Sequence, residues 1–325
     1  MTATPTESRP TLDLEERLRA GAFLLIDKPR GPTSHQVTAW VRDLLGVERA
    51  GHAGTLDPNV SGLLWIGVGP ALKLIPLVLE FPKRYVGVVA LHAPVPRPAV
   101  EATLREFVAP VYQTPPVRSA VKRERRVRRI HSIDLVEMRG PRLLLDVRAE
   151  SGTYLRTLAV DVGEALGVDA HLEELRRVGN GPFEEHDAVT LTELGDAVAD
   201  WRAGDPDPLA RRLHPLREVW GDFPSIVLKD AAASAVAHGA NLARGGIRSI
   251  RSAFPRDATV ALVDGAGELV ATGRALVGSD DLRAHGDGWI VDTERVFADP
   301  GRYPPRWKRA GAEPSRAMPE PSGPA

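Results

Sequence analysis

Gly51-His52-Ala53-Gly54-Thr55-Leu56-Asp57-Pro58, followed by Val60, Ser61, Gly62 and Leu63, is the most informative run in the sequence. Two glycines and an Asp-Pro step mark a tight turn and place His52 and Asp57 on a loop. Taken alone, an Asp before Pro often does no more than close such a turn through its own backbone. On the C-terminal side, residues 62–81 are the longest apolar stretch. They contain Lys73, Glu80, Pro70 and Pro76, so they read as buried core and not as a membrane span. On the N-terminal side, 22–26 form a brief apolar strand, and Lys28-Pro29-Arg30-Gly31-Pro32 a loop. Ser34 then caps a helix reaching about Leu45, with Val37, Trp40, Val41 and Leu44 on one face.

Farther out, 12–20 suit a short charged helix ending at Gly21, 85–91 a strand, and 100–108 a helix. Residues 131–138 and 143–149 read as strands, 154–166 as a helix with Leu155, Leu158, Val162 and Leu166 apolar, and 200–207 as a loop. This alternation argues for a mixed α/β or α+β body. After Pro224 the texture changes to a short strand (226–228), a helix (230–238) closed by Gly239, a hairpin (259–263 and 268–275) around Asp264-Gly265-Ala266-Gly267, and a strand at 289–291. The domain reading is a tail and short helix at 1–20, a catalytic domain at 21–220, a small β-rich domain at 223–300 and a disordered tail at 308–325.

The 325 residues suffice for two domains, and a 43% hydrophobic content supplies a core. The absence of cysteine excludes disulfides, thiolate zinc sites and thiol nucleophiles. Net charge is −1, so no overall basic excess announces nucleic acid. Six of the 42 basic residues are lysine, a bias that a GC-rich genome explains. The polar start is not a signal peptide, and a cytoplasmic location is expected. Residues 115–131 hold Arg118, Lys122, Arg123, Arg125, Arg126, Arg128 and Arg129 against Glu124, a strip suited to phosphates or simply to solvent. Residues 184–207 are the reverse, with eight acids against Arg202, and read as a solvated face.

The 51–63 run resembles the catalytic loop of the pseudouridine synthase family that includes tRNA pseudouridine-55 synthase and the box H/ACA enzyme, dyskerin in animals. Further segments match in the same order. They are Leu25-Ile26-Asp27-Lys28-Pro29 with Gly31, Pro32, Thr33, Ser34 and His35; Lys83-Arg84-Tyr85; Gly152 to Leu158; and Glu174-Leu175-Arg176-Arg177 with Gly181, Pro182 and Phe183. The resemblance spans 9–307. It departs at Gly179-Asn180, where a basic residue and serine are commoner, and at Ala93-Pro94.

The resemblance implies an α+β fold with a central, mostly antiparallel mixed sheet flanked by helices, followed by a PUA pseudo-barrel that binds RNA. It implies uridine isomerisation without a cofactor or metal. Asp57 becomes the essential carboxylate, Arg156 its partner and Tyr85 the stacking face for an extruded base. Bare readings remain beside these: a surface arginine on a helix, and a core aromatic on a strand. His52, Tyr154, Leu175 and Lys28 are placed on the substrate side, with Lys28 and Pro29 better suited to supporting the loop. Arg118, Lys122, Arg123, Arg125 and Arg126 are placed on the RNA backbone. Lys229-Asp230, His238-Gly239-Ala240, Gly245-Gly246-Ile247 and 303–307 fit the archaeal type, and no thumb-like insertion follows Tyr85. The partners so implied are tRNA, rRNA, box H/ACA guide RNA and small protein subunits, with no membrane. A noncatalytic RNA scaffold and a uracil-releasing glycosylase are the rival readings.

Overall fold

A charged helix, α1 (Leu14–Ala20), buries Leu14 and Leu18 and ends at Gly21, whose φ of 91° is open to glycine at little cost. The computed structural model describes residues 13–114, 124–221, 223–283, 286, 288–298 and 300–303. Arg118, Lys122, Arg123, Pro304 to Trp307, and the tail expected at 308–325 lie outside the described residues. The chain divides into two units, 1–219 and 220–325.

The first unit is built on β1 (Ala22–Lys28), α2 (Ser34–Leu45), β2 (Ala50–Ala53), β3 (Ser61–Val68), α3 (Ile75–Glu80), β4 (Lys83–Leu91) and α4 (Arg97–Glu106). There follow β5 (Pro110–Gln113), β6 (Arg126–Arg139), β7 (Arg142–Ala149), α5 (Leu155–Ala165), β8 (Ala170–Asn180), β9 (Phe183–Glu184), α6 (Leu191–Arg202), α7 (Asp207–Ala210) and β10 (His214–Pro215). The sheet runs β10-β1-β3-β8-β4-β7-β6-β5, with β2 added on β3 and β9 on β8. Its strand pairs are antiparallel except β3/β8, where Ser61 faces Arg176 and Gly62 faces Arg177 in parallel. The α+β reading with a mostly antiparallel mixed sheet therefore holds.

Two hydrophobic clusters support this sheet. One joins Leu24 and Ile26 of β1, Val37 and Val41 of α2, Leu64 and Ile66 of β3, and Leu194 and Val198 of α6, and it includes Leu56. The other joins Val89 of β4, Val100 and Leu104 of α4, Leu143 and Leu145 of β7, and Leu155, Leu158 and Val162 of α5. Leu56 and Leu155 each immediately precede a candidate site residue, so each half of the site is anchored in its own core.

Several details differ from the sequence reading. Thr33, not Ser34, caps α2, and it forms a reciprocal capping box with Gln36. Ser34 is buried because its hydroxyl is used elsewhere. Val37 and Val41 are fully buried, at about 2 kcal/mol each, whereas Trp40 is 45% exposed and lies off the core face. The reading of 200–207 as loop misses the end of α6, which runs to Arg202 from a Thr190–Glu193 capping box. Residues 62–81 divide among β3, which is core as expected, a 3-10 turn (Gly69–Leu74) and α3, which with the turn leaves Pro70, Leu79 and Glu80 exposed. No helix among the described residues is long and apolar enough to cross a membrane.

A one-turn helix, α8 (Arg217–Trp220), precedes the strands of the second unit. That unit comprises β11 (Ser225–Leu228), α9 (Asp230–Ala237), β12 (Leu242–Ala243), β13 (Ile247–Ile250), β14 (Thr259–Val263), β15 (Leu269–Ala275) and β16 (Trp289–Val296). Its six-stranded sheet runs β12-β16-β15-β14-β11-β13, with β11 and β14 parallel. The expected hairpin is β14/β15, and Asp264 stabilises its turn by accepting from the Ala266 and Glu268 N–H groups at 2.9 Å each. Gly239 follows α9 at a φ of 88°.

Candidate active site

Asp57 sits on the loop between β2 and β3, a loop with no ladder of its own, so other groups must fix it. Ser34 donates its hydroxyl to the Leu56 carbonyl at 3.0 Å and accepts the Leu56 N–H at 2.9 Å. Arg177, fully buried on β8, donates Nε to the Leu63 carbonyl at 2.7 Å and Nη2 to the Gly54 carbonyl at 2.9 Å. The Gly31 N–H donates to Pro58 at 2.8 Å, and the Asp57 carbonyl accepts from Val60 at 3.0 Å. Lys28, fully buried, donates to the carbonyls of Pro29 and Pro32 at 2.8 and 2.9 Å and reaches Pro58 at 3.4 Å. Gly62 is required here. A Cβ there would lie 2.2 Å from the Arg177 carbonyl oxygen, and its φ is 104°.

Across the cleft, Arg156 stands in the first turn of α5. Gln113, buried on β5, accepts the Tyr154 N–H at 2.9 Å and donates to the Tyr154 carbonyl at 3.2 Å, which fixes the helix entry. Arg156 Nη2 meets Asp57 Oδ2 at 3.0 Å, with both side chains partly open to solvent. The pair lies in a cleft of ≈ 580 Å³ whose walls include Tyr85, Tyr154, Leu172 and Leu175. The buried Arg177 guanidinium also has Tyr85 as an electrostatic partner, so one cation relates the aromatic wall to the Asp57 loop. An anchored carboxylate beside a guanidinium fork, facing an aromatic and aliphatic wall, suits a planar base on a sugar.

A model of the TruB family pseudouridylate synthase N-terminal domain matches residues 42–98, one of the tRNA pseudouridylate synthase B C-terminal domain 156–219, and one of the PUA domain 224–297. The probable tRNA pseudouridine synthase B of Methanothermobacter thermautotrophicus is 43% identical over 297 residues, 91% of either chain. That of Pyrobaculum calidifontis is 44% identical over 298 residues, 91% of this chain and 89% of the relative. The chain belongs to the TruB/Cbf5 family of pseudouridine synthases.

Among solved structures, a Cbf5-Nop10-Gar1 complex contains a chain similar at a TM-score of 0.82 and 38% identity, over 90% of this chain and 89% of that one. An H/ACA RNP bound to a substrate RNA containing 2'-deoxyuridine contains one similar at 0.80 and 35%, over 93% and 94%. The chain is thus an RNA pseudouridine synthase with a PUA domain, and the rival scaffold and glycosylase readings fall away.

Other residues in this synthase fall less simply. Asp57, Arg156, Tyr85, Tyr154 and Leu175 line one cleft. Lys28 does not line it. Its three carbonyl contacts make it a support of the loop and correct its grouping with substrate-contacting residues. Burial lowers its pKa, Asp57 opposes that, and Arg177 adds to it. His52 lies on β2, with Nδ1 3.1 Å from the Thr38 hydroxyl and its ring edge-to-face with His35 at 4.7 Å. Burial chiefly, then His35 and Arg177, lowers its pKa, which favours a neutral ring. Arg125 packs over the Tyr112 ring at 4.5 Å, Arg126 is exposed, and Arg128 pairs with Glu150 at 3.2 Å.

Four residues of the site lie beyond what the sequence assigns: Ser34 reads as a cap, Gln113 and Arg30 carry no expected role, and Arg177 reads only as part of a motif. Arg177's signal was available: two adjacent arginines on a strand alternate faces, so one of them points inward.

Proposed function

We propose that the Asp57–Arg156 cleft isomerises uridine in RNA, as the catalytic subunit of an archaeal-type box H/ACA particle, with uridine-55 of tRNA as a further substrate. The single observation that supports this reading is the 3.0 Å Asp57–Arg156 pair set against Tyr85 and Leu175 in one cleft. The reaction breaks N1–C1′, turns the uracil and forms C5–C1′. The C5 proton leaves and N1 ends protonated, so the atoms balance. Asp57 must be ionised and aimed at the nucleotide. The contact with Arg156 restricts its direction. Tyr85 offers the extruded base a stacking face worth ~1–3 kcal/mol.

RNA and small protein subunits as partners rest on the likeness to the Cbf5 of a Cbf5-Nop10-Gar1 complex and to a chain of an RNA-bound H/ACA RNP. Exposed Arg125 and Arg126 are proposed phosphate contacts at the edge of the sheet. The test is Asp57→Asn in the assembled particle. Release of tritium from 5-tritiated uridine should vanish while melting temperature and RNA affinity stay near wild type. Turnover within about tenfold of wild type would remove Asp57 from the chemistry.

A further inference from the structure

We propose that Arg30 is a phosphate-binding residue at the mouth of the cleft, held by Glu174 in the free chain and handed to the RNA backbone when substrate enters. The inference rests on the reading of this cleft as the RNA site. Arg30 belongs to the loop after β1, beside the Gly31 N–H that is tied to Pro58, the residue following Asp57. Its backbone is therefore fixed relative to the reacting carboxylate. Its side chain lines the cleft and reaches β8, with Nη1 3.1 Å from Glu174 Oε1.

The charges along the cleft make this pair significant. The lining acids are Asp57, Glu173 and Glu174, and the lining cations are Arg30 and Arg156. Arg156 faces Asp57 at 3.0 Å. Arg142 forks Glu173 at 2.7 and 3.1 Å from outside the lining set. A polyanion entering this mouth meets a wall that is not basic, and Arg30 is the lining cation not facing Asp57.

The side chains of Arg30 and Glu174 are 54% and 61% exposed. Exposed ion pairs are weak because water solvates both partners well. An Arg–phosphate contact is charge-assisted on both sides and can be bidentate. Exchanging Glu174 for phosphate is thus downhill, and the freed carboxylate returns to water. A ligand that lacks a flanking phosphate cannot make the exchange, so the pair also selects RNA over a free nucleoside.

Four forms of the full chain in its assembled particle test this: wild type, Arg30→Gln, Glu174→Gln and the double variant. Filter binding across a salt series and single-turnover tritium release on 5-tritiated RNA are measured for each. Arg30→Gln should weaken RNA binding and flatten the salt slope by roughly 0.7–0.9, the value for one phosphate. Its rate at saturating RNA should stay within about threefold of wild type, since the loss is in binding and not in chemistry. Glu174→Gln should tighten binding in the wild-type background and have no effect in the Arg30→Gln background. An unchanged salt slope in Arg30→Gln overturns the proposal. So does an equal gain from Glu174→Gln in both backgrounds, which marks general repulsion and not a held arginine. Wild type that binds RNA but releases no tritium breaks the reading of the site itself, a different failure.

Discussion

Asp57 and Arg156 meet at 3.0 Å, but they are held by two unlike kinds of structure. Arg156 rides on a helix whose Leu155, Leu158 and Val162 are buried in one core, and whose backbone bonds are its own. One polar clamp, Gln113, sets its entry. Asp57 sits on a loop fixed by the buried side chains of Lys28, Ser34 and Arg177, drawn from three separate elements. A loop without a ladder obtains its rigidity from side chains that bond its backbone, and those bonds are costly to lose because their partners are buried. The loop wall should therefore be the fragile one.

The largest expected effect comes from Arg177. Arg177→Met removes the guanidinium that donates to the Gly54 and Leu63 carbonyls. We expect a loss of about 2–4 kcal/mol, read as a lower urea midpoint at unchanged slope. A loss below about 1 kcal/mol would mean that the loop does not depend on this cation.

Next comes a direct contrast of the walls. Ser34→Ala and Gln113→Leu each delete a reciprocal pair of backbone bonds, at about 1–3 kcal/mol. Ser34→Ala should lower the single-turnover rate far more, since α5 keeps Arg156 in place while, among the described residues, Ser34 is the side chain that bonds both backbone groups of Leu56. Equal rate losses would erase the distinction.

The smallest effect sharpens the frame around Tyr85. Lys83 opens β4 two residues before Tyr85 and donates to the Leu79 and Phe81 carbonyls at 2.6 Å each. Burial chiefly, and Arg177 next, bring its pKa down to about 7. Above that pH the folded chain releases a proton that the unfolded chain keeps up to the ordinary lysine value. Stability should accordingly climb with pH, by at most about 1.4 kcal/mol per unit. Lys83→Met should flatten the climb in urea midpoints taken between pH 7 and pH 9. A slope that survives the substitution assigns the titration elsewhere.

What the sequence revealed follows the same divide. Asp57, Arg156 and Tyr85 are marked in the sequence only by the family motifs that carry them, since the bare residues read as a turn closer, a surface arginine and a core aromatic. The strands and helices around them are legible because periodicity reports burial. The clamps were not legible. Ser34 and Gln113 bond the backbones of Leu56 and Tyr154, and a carbonyl carries no mark of residue identity. Ser34 reads as a cap because serine and threonine suit that role equally well by type, and Thr33, one position earlier, takes it. Spacing alone puts Trp40 on the apolar face, although Val37 and Val41 already fill that face of α2. The end of α6 was hidden because Asp200 and Gly204 signal a turn as strongly as Ala197 and Val198 signal burial.

The parallel pairing of Gly62 with Arg177 has a consequence in time. Arg177 lies 120 residues downstream of Asp57, about 6–24 s later at ordinary translation rates of ≈ 5–20 residues per second. Throughout that interval the nascent chain carries Asp57 on a loop lacking the guanidinium that grips Gly54 and Leu63. The Asp57 loop therefore acquires this clamp only when β8 has been made and has paired with β3.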